Sequence, residues 1–379
     1  MFSDRLPAPR IAPLHPEERT AAQQAILAKA PDYNIFTTLA RHVDLYRRWA
    51  PLGQFLLDGS TLPARDRELV MLRMGWLCRS EYEWSQHARI AKAQAGLTDD
   101  DLIRIATGPD AAGWSSFDRT LLQMTDELRY EAMIGDATWQ ALVGRYNTQQ
   151  VMEALFTAAH YQLVSMALNS LGVQLDTSLR DRFPADVPPP PLAGRPGAPR
   201  LTRPRIPPLS PAQWSHEQSE LIAGQIRNGT VLNLHATLIH HPHLYLPRVR
   251  FAAFLERESL LPEQARVLLI MRTAWLIRAD YEWAHHVRWA QQAGLSVAQI
   301  DRIAAGPQAS GWSQEQAALL RAAEELRSEA FIADATWETL SRHYDARQLI
   351  DIVFTVGGYS MTGLAINSFG IQLEPGVAP

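Results

Sequence analysis

The sequence predicts an all-α protein built from two copies of one helical unit, and three observations carry that prediction. Apolar residues recur at helical spacing, as in the stripe Ile35, Leu39, Val43 and Leu45. No βαβ alternation, glycine-rich phosphate loop, Gly-x-Ser-x-Gly elbow or His-Glu-x-x-His motif interrupts the pattern. Finally, Ser80-Glu81-Tyr82-Glu83-Trp84-Ser85-Gln86-His87 returns almost letter for letter as Ala279-Asp280-Tyr281-Glu282-Trp283-Ala284-His285-His286. One offset of 199 residues relates the two stretches.

The first copy opens on a proline-marked extended arm, Arg10-Ile11-Ala12-Pro13-Leu14, and leads into a helix over Pro16–Lys29. A second helix is expected over Asn34–Leu57. Proline then starts a third over Pro63–Arg79, whose apolar residues cover most of its surface and mark it as central and buried. The motif helix follows over Ser80–Ala95 and stops at Gly96, a suitable residue for a left-handed C-terminal cap. Three further helices are read over Leu97–Gly108, Ser115–Met133 and Asp136–Tyr146, with Asp136 capping the last. An apolar helix over Gln149–Leu171 closes the unit, and Asn169 near its end is expected to satisfy backbone groups.

The second copy repeats each step. Asn233, His241, Tyr245 and Phe254 answer Asn34, His42, Tyr46 and Phe55, and Asn367 answers Asn169. His241-Pro242-His243 breaks its second helix, and His240, His241 and His243 read as a helix-end cluster rather than a metal tract. Between the copies, 183–204 contains Val187-Pro188-Pro189-Pro190-Pro191 and cannot form helix or sheet, so an extended linker is expected. The domain reading is therefore 1–182, linker 183–204, and 205–379.

The chain's 379 residues suit two such units. Its net charge of −4 supplies no basic field for nucleic acid or an anionic membrane surface. Neither a secretory leader nor a run of about 18 apolar residues able to span a bilayer stands out, so a cytoplasmic protein is expected. A single cysteine, Cys78, excludes an intrachain disulfide, and its apolar setting marks it as a small buried hydrophobe.

Within the motif helix, Glu83 and His87 stand one turn apart on one face, as do Glu282 and His286. A carboxylate beside an imidazole is an acid/base pair in the making. A bland alternative exists, because Ser80-x-x-Glu83 also spells a capping box contributing about 1 kcal/mol. Capping does not call for His87 or His286, and Ala279 cannot cap. The copies also differ: Glu68 is matched by Val267, and His160 by Gly358.

The run Arg65-Asp66-Arg67-Glu68-Leu69-Val70, followed by Ser80-Glu81-Tyr82-Glu83-Trp84 and His87, resembles the carboxymuconolactone decarboxylase family, which shares the alkyl hydroperoxidase D fold. The resemblance covers nearly all of each half and implies two tandem alkyl hydroperoxidase D-like helical domains. In that family's peroxidase branch the motif reads Cys-x-x-Cys-x-x-x-His with an upstream glutamate. Here Ser80 and Glu83 stand at the cysteine positions and Glu68 at that of the glutamate, and the second copy has Ala279, Glu282 and Val267. Without those cysteines thiol chemistry is excluded and acid/base chemistry remains.

The resemblance further implies a pocket beside the motif helix and assembly into homo-oligomers. The expected function is a cofactor-independent lyase, decarboxylase or isomerase acting on a small carbonyl, lactone or aromatic-derived acid in catabolism. His87 would be base or acid, Glu68 or Glu83 would orient it, and Tyr82 and Arg73 would lie nearby. The first half is the expected active site. His286, Glu282 and Tyr281 are the second-repeat candidates, either structural or completing the pocket. Two alternatives stay open: a non-catalytic scaffold or small-molecule binder, and a metal enzyme using His87, Glu83 and Glu68 as ligands. No cofactor or metal is part of the leading reading.

Overall fold

The computed structural model describes residues 6–226 and 229–377. The first half folds into α1 (Ala21–Leu27), α2 (Asn34–Leu39), α3 (Val43–Gln54), α4 (Ala64–Leu77), α5 (Glu81–Gln94), α6 (Asp99–Thr107), α7 (Ser116–Tyr130), α8 (Asp136–Val143) and α9 (Thr148–Leu171). The second half repeats the order as α10 (His216–Ile222), α11 (Asn233–Leu238), α12 (Pro242–Arg257), α13 (Glu263–Leu276), α14 (Asp280–Gln292), α15 (Val297–Ala305), α16 (Gln314–Glu329), α17 (Asp334–Ser341) and α18 (Ala346–Phe369). No strand occurs among these elements, so the all-α, tandem reading holds.

The apolar character of α9 and α18 decides how the halves meet. Each is 24 residues long, about 36 Å at the helical rise, and each is apolar around its whole circumference, which requires burial on every side. They pack against each other, while α4 packs on α5, α7 and α9, and α13 on α14, α16 and α18. By length and composition α18 alone is apolar enough to cross a bilayer, yet its window is 94% buried inside the protein. One continuous hydrophobic cluster runs through both halves.

Polar contacts tie the halves reciprocally. Arg129 donates to the carbonyls of Arg327 and Ser328, and Arg327 donates to those of Arg129 and Tyr130. Arg10 of the first arm reaches Asp334, and Arg205 of the second reaches Asp136. Asn169 donates to the carbonyls of Cys78 and Ala330, as Asn367 does to those of Ile277 and Ala132. Two buried histidine–carboxylate contacts cross as well: His42 Nε2 lies 3.1 Å from Asp351, and His241 Nε2 lies 2.8 Å from Glu153. The two copies are thus related by an approximate twofold.

Several local expectations change. The helix expected over Asn34–Leu57 is two helices, because the chain breaks at His42, whose Nδ1 accepts from the Leu45 amide. Asp136 is the first residue of α8 rather than its cap; Gly135 precedes it, and the Gly135 amide donates to Glu127. Residues 183–204 form no regular structure but are fastened to both halves: Arg79 donates to Pro190 O, Glu131 accepts from the Gly197 and Ala198 amides, and Arg200 donates to Ile277 O. The stretch is a strap lying along the interface.

Candidate functional site

In the first half, the reversal between α4 and α5 runs through Arg79 in the left-handed region, φ 53°. It folds α5 back along α4, so that Glu68 of α4 meets His87 of α5. His87 Nδ1 lies 2.8 Å from Glu68 Oε2, and Nε2 lies 3.0 Å from Glu83 Oε1. Tyr161 of α9 meets the ring edge-on at 4.8 Å. Ser80, by contrast, makes no capping bond and its Oγ is unpartnered, so the capping-box alternative fails: Glu83 serves His87 instead.

All three members of this cluster are buried, with Glu68 only 1% exposed. Burial works against a charged imidazole, but Glu68 and then Glu83 outweigh it and lift His87 to about 10. The ring is therefore an imidazolium at neutral pH with both N–H groups engaged, and it has no lone pair with which to accept a proton. The same geometry argues against His87, Glu83 and Glu68 as one metal site, because the carboxylates bracket opposite nitrogens and do not converge with the ring on a common point. No group of three or more His, Cys, Asp or Glu able to hold a metal ion occurs among the described residues.

Behind Tyr161 the neighbouring side chains pack closely. Trp49 stacks on His160 at 5.7 Å with the rings 9° apart, and meets Phe354 of α18 edge-on. Room for that imidazole comes from Gly53, where an added Cβ would lie 2.9 Å from His160 Nε2. Burial holds His160 at about 3, so it stays neutral.

The second half keeps the histidine and changes its company. With Val267 in place of Glu68, His286 Nδ1 donates to the Glu282 carbonyl at 2.7 Å, and the Glu282 carboxylate is 3.5 Å from the same nitrogen. In a neutral ring that bond places the proton on Nδ1 and the lone pair on Nε2. Tyr359 meets the ring edge-on at 5.4 Å, as Tyr161 does in the first half.

Where Trp49 stacks on His160 in the first half, the equivalent positions of the second carry Arg248 and Gly358. Both line a cavity of about 130 Å³, together with Glu282, His286, Tyr359 and Thr362. An engineered cavity of about 150 Å³ accommodates benzene, so the space suits a molecule of about one ring.

Charge in this cavity is unevenly matched. Arg248 is 5% exposed and donates to Thr362 Oγ1 at 2.7 Å, but no carboxylate lies within ion-pair distance of it among the described residues. Burial lowers the Arg248 pKa, with Glu282 opposing the shift. Burial raises the carboxyl of Glu282 above its ordinary range, against the pull of His286 and Arg248. A carboxyl whose hold on its proton is strengthened by burial thus shares the cavity with His286 and with a cation that has no carboxylate at ion-pair distance among the described residues.

Other residues expected at the site are engaged elsewhere. Arg73 binds Asp126 and the carbonyls of Ile105 and Ala106, a structural clamp that Arg272 repeats with Glu324, Ile303 and Ala304. Tyr82 gives its hydroxyl to Asp176, and Tyr281 gives its own to Glu374, although Tyr281 also borders the cavity. Sequence reasoning missed Arg248 and Tyr359. The copies differ at every position from 47 to 54 against 246 to 253, so the exchange of Trp49 for Arg248 carried no signal of its own.

No curated protein matches the chain. Among solved structures, a protein of unknown function from Agrobacterium tumefaciens, proposed to be the antioxidant defence protein AhpD, is 17% identical over 36% of this chain and 93% of its own, with a TM-score of 0.33. That likeness is too distant to bear on activity. The model of the carboxymuconolactone decarboxylase family matches twice, over residues 44–127 and 244–325, and each match spans the helices that carry one of the two histidines. The chain belongs to the carboxymuconolactone decarboxylase family, as a tandem member without the Cys-x-x-Cys motif.

Proposed function

We propose that the protein is a cofactor-independent acid/base lyase, decarboxylase or isomerase, and that its reacting site is the cavity of the second half. The observation carrying this reading is the Arg248 guanidinium, buried beside an open volume without a carboxylate partner and next to a histidine with a free lone pair. The substrate class is a small carbonyl, lactone or aromatic-derived acid of about one ring.

His286 Nε2 removes a proton from carbon next to a carbonyl. The bonding pair moves into the carbonyl as an enolate held against Arg248, and the imidazolium or Glu282 returns a proton at another carbon. For a substrate that loses CO2, breaking the carbon–carboxylate bond leaves the same enolate, and a protonated His286 or Glu282 quenches it. Thiol chemistry finds no support: burial raises the Cys78 thiol, which lies inside the core.

The test is a turnover screen of lactones and aromatic-derived acids on wild type, His286→Ala and His87→Ala. Loss of turnover in His286→Ala alone is expected. Turnover that survives His286→Ala but not His87→Ala overturns the assignment.

A further inference from the structure

We propose that Tyr359 is a second oxyanion donor in this cavity, forming with Arg248 a cradle for a ligand oxygen that carries negative charge. The inference rests on the reading that this cavity is the reacting site, and adds a residue to it.

The described tyrosines of this chain mostly spend their hydroxyls inside the protein. Tyr82 donates to Asp176, Tyr146 to Asp66, Tyr281 to Glu374 and Tyr344 to Glu315, while Tyr245 pairs with His235. Tyr359 lines the cavity, and its hydroxyl has no partner among the described residues. Its ring is fixed by the edge-on contact with His286 and by burial on α18, where it is 9% exposed.

Arg248 is fixed toward the same face. Tyr359 and Thr362 are three residues apart on α18 and therefore lie on one side of the helix. The Thr362 hydroxyl donates to Gly358 O at 3.0 Å, so its oxygen is committed to accepting from Arg248 at 2.7 Å. An arginine has only donors. Burial, then Glu282, pushes the Tyr359 phenol well above its ordinary range, so it too stays a donor. Two residues with donor groups line one cavity, a combination suited to stabilising a carboxylate, or an enolate oxygen as it gains charge.

The experiment uses the full chain and fluorine NMR titration with two probes, para-fluorobenzoate and its neutral counterpart para-fluorotoluene. A hydrogen bond to a charged group is worth about 1.5–3 kcal/mol, so Tyr359→Phe should weaken para-fluorobenzoate binding by about tenfold or more and leave para-fluorotoluene unchanged. Arg248→Met should weaken it further. Tyr161→Phe, at the equivalent position of the first half, should bind both probes as wild type does, and matched circular-dichroism melts exclude misfolding.

Unaltered para-fluorobenzoate affinity in Tyr359→Phe, with loss in Arg248→Met, overturns the role of Tyr359 while the proposed function stands. A wild-type protein that prefers para-fluorotoluene, or binds neither probe, overturns both.

Discussion

The two histidines of the repeated motif occupy equivalent turns of equivalent helices, yet one is locked and the other is free. His87 is clamped at both nitrogens by Glu68 and Glu83, and Trp49 stacks on His160 nearby. His286 has a partner at Nδ1 and none at Nε2 among the described residues, and it faces a cavity, with Val267, Arg248 and Gly358 at the equivalent positions. An extra carboxylate beside a histidine thus does not make the better base. It raises the imidazole's affinity for its proton until the ring is held as a cation.

Breaking the pair at its histidines gives the largest expected effect. Removing a general base typically costs 10² to 10⁴ in rate, so His286→Ala should lose about that much turnover on any substrate the screen finds. His87→Ala should stay within a few-fold and lower the melting temperature instead. Comparable kinetic losses in the two variants would erase the distinction between the halves.

Trp49 sharpens the same comparison through stability. A buried tryptophan packed against His160, Phe354 and Tyr46 should cost about 3–5 kcal/mol when cut to alanine. Urea denaturation measures this. A loss near zero would mean that the first half can open as the second does.

The third expectation concerns pH. His87 is raised from 6.5 to about 10, so its folded form binds the proton more tightly than the unfolded chain. Its contribution is fully present below about pH 6.5 and is lost as pH rises towards 10. Wild type should therefore show a falling melting temperature over that window, and His87→Gln should flatten that part of the profile. An identical slope in both proteins would remove the clamp as its cause.

How much of this was legible in the sequence follows from what each residue contacts. The fold was, because helical periodicity and the near-identical motif are local signals that both halves repeat. Glu83 with His87 was legible too, since a one-turn spacing fixes their neighbourhood. The functional direction of Glu68 was not: residue type alone cannot distinguish a carboxylate that tunes a base from one that locks a cation. Arg73 and Tyr82 looked available because their partners, Asp126 and Asp176, lie far along the chain. The cavity depended on the side chains facing each other across α3 and α9 in one half, and across α12 and α18 in the other.

Gly358 gives the smallest expected effect and the most specific one. An added Cβ there would lie 2.4 Å from Leu255 Cδ1, so Leu255, which also borders the cavity, must turn aside. Overpacking of this kind costs about 1–3 kcal/mol, while replacing glycine by alanine inside a helix returns about 1 kcal/mol. The net change in stability of Gly358→Ala should therefore be small. Its effect on para-fluorobenzoate binding should exceed it, because the displaced Leu255 methyl takes up cavity volume.

The first half shows the reverse arrangement: Gly53 is small where Ala252 stands in the second half, and His160 is large where Gly358 is small. Gly53→Ala should therefore destabilise by pressing on the His160 ring, with no change in ligand binding. If the alanine at 358 binds the probe as tightly as wild type, the volume beside Gly358 is not where the ligand sits.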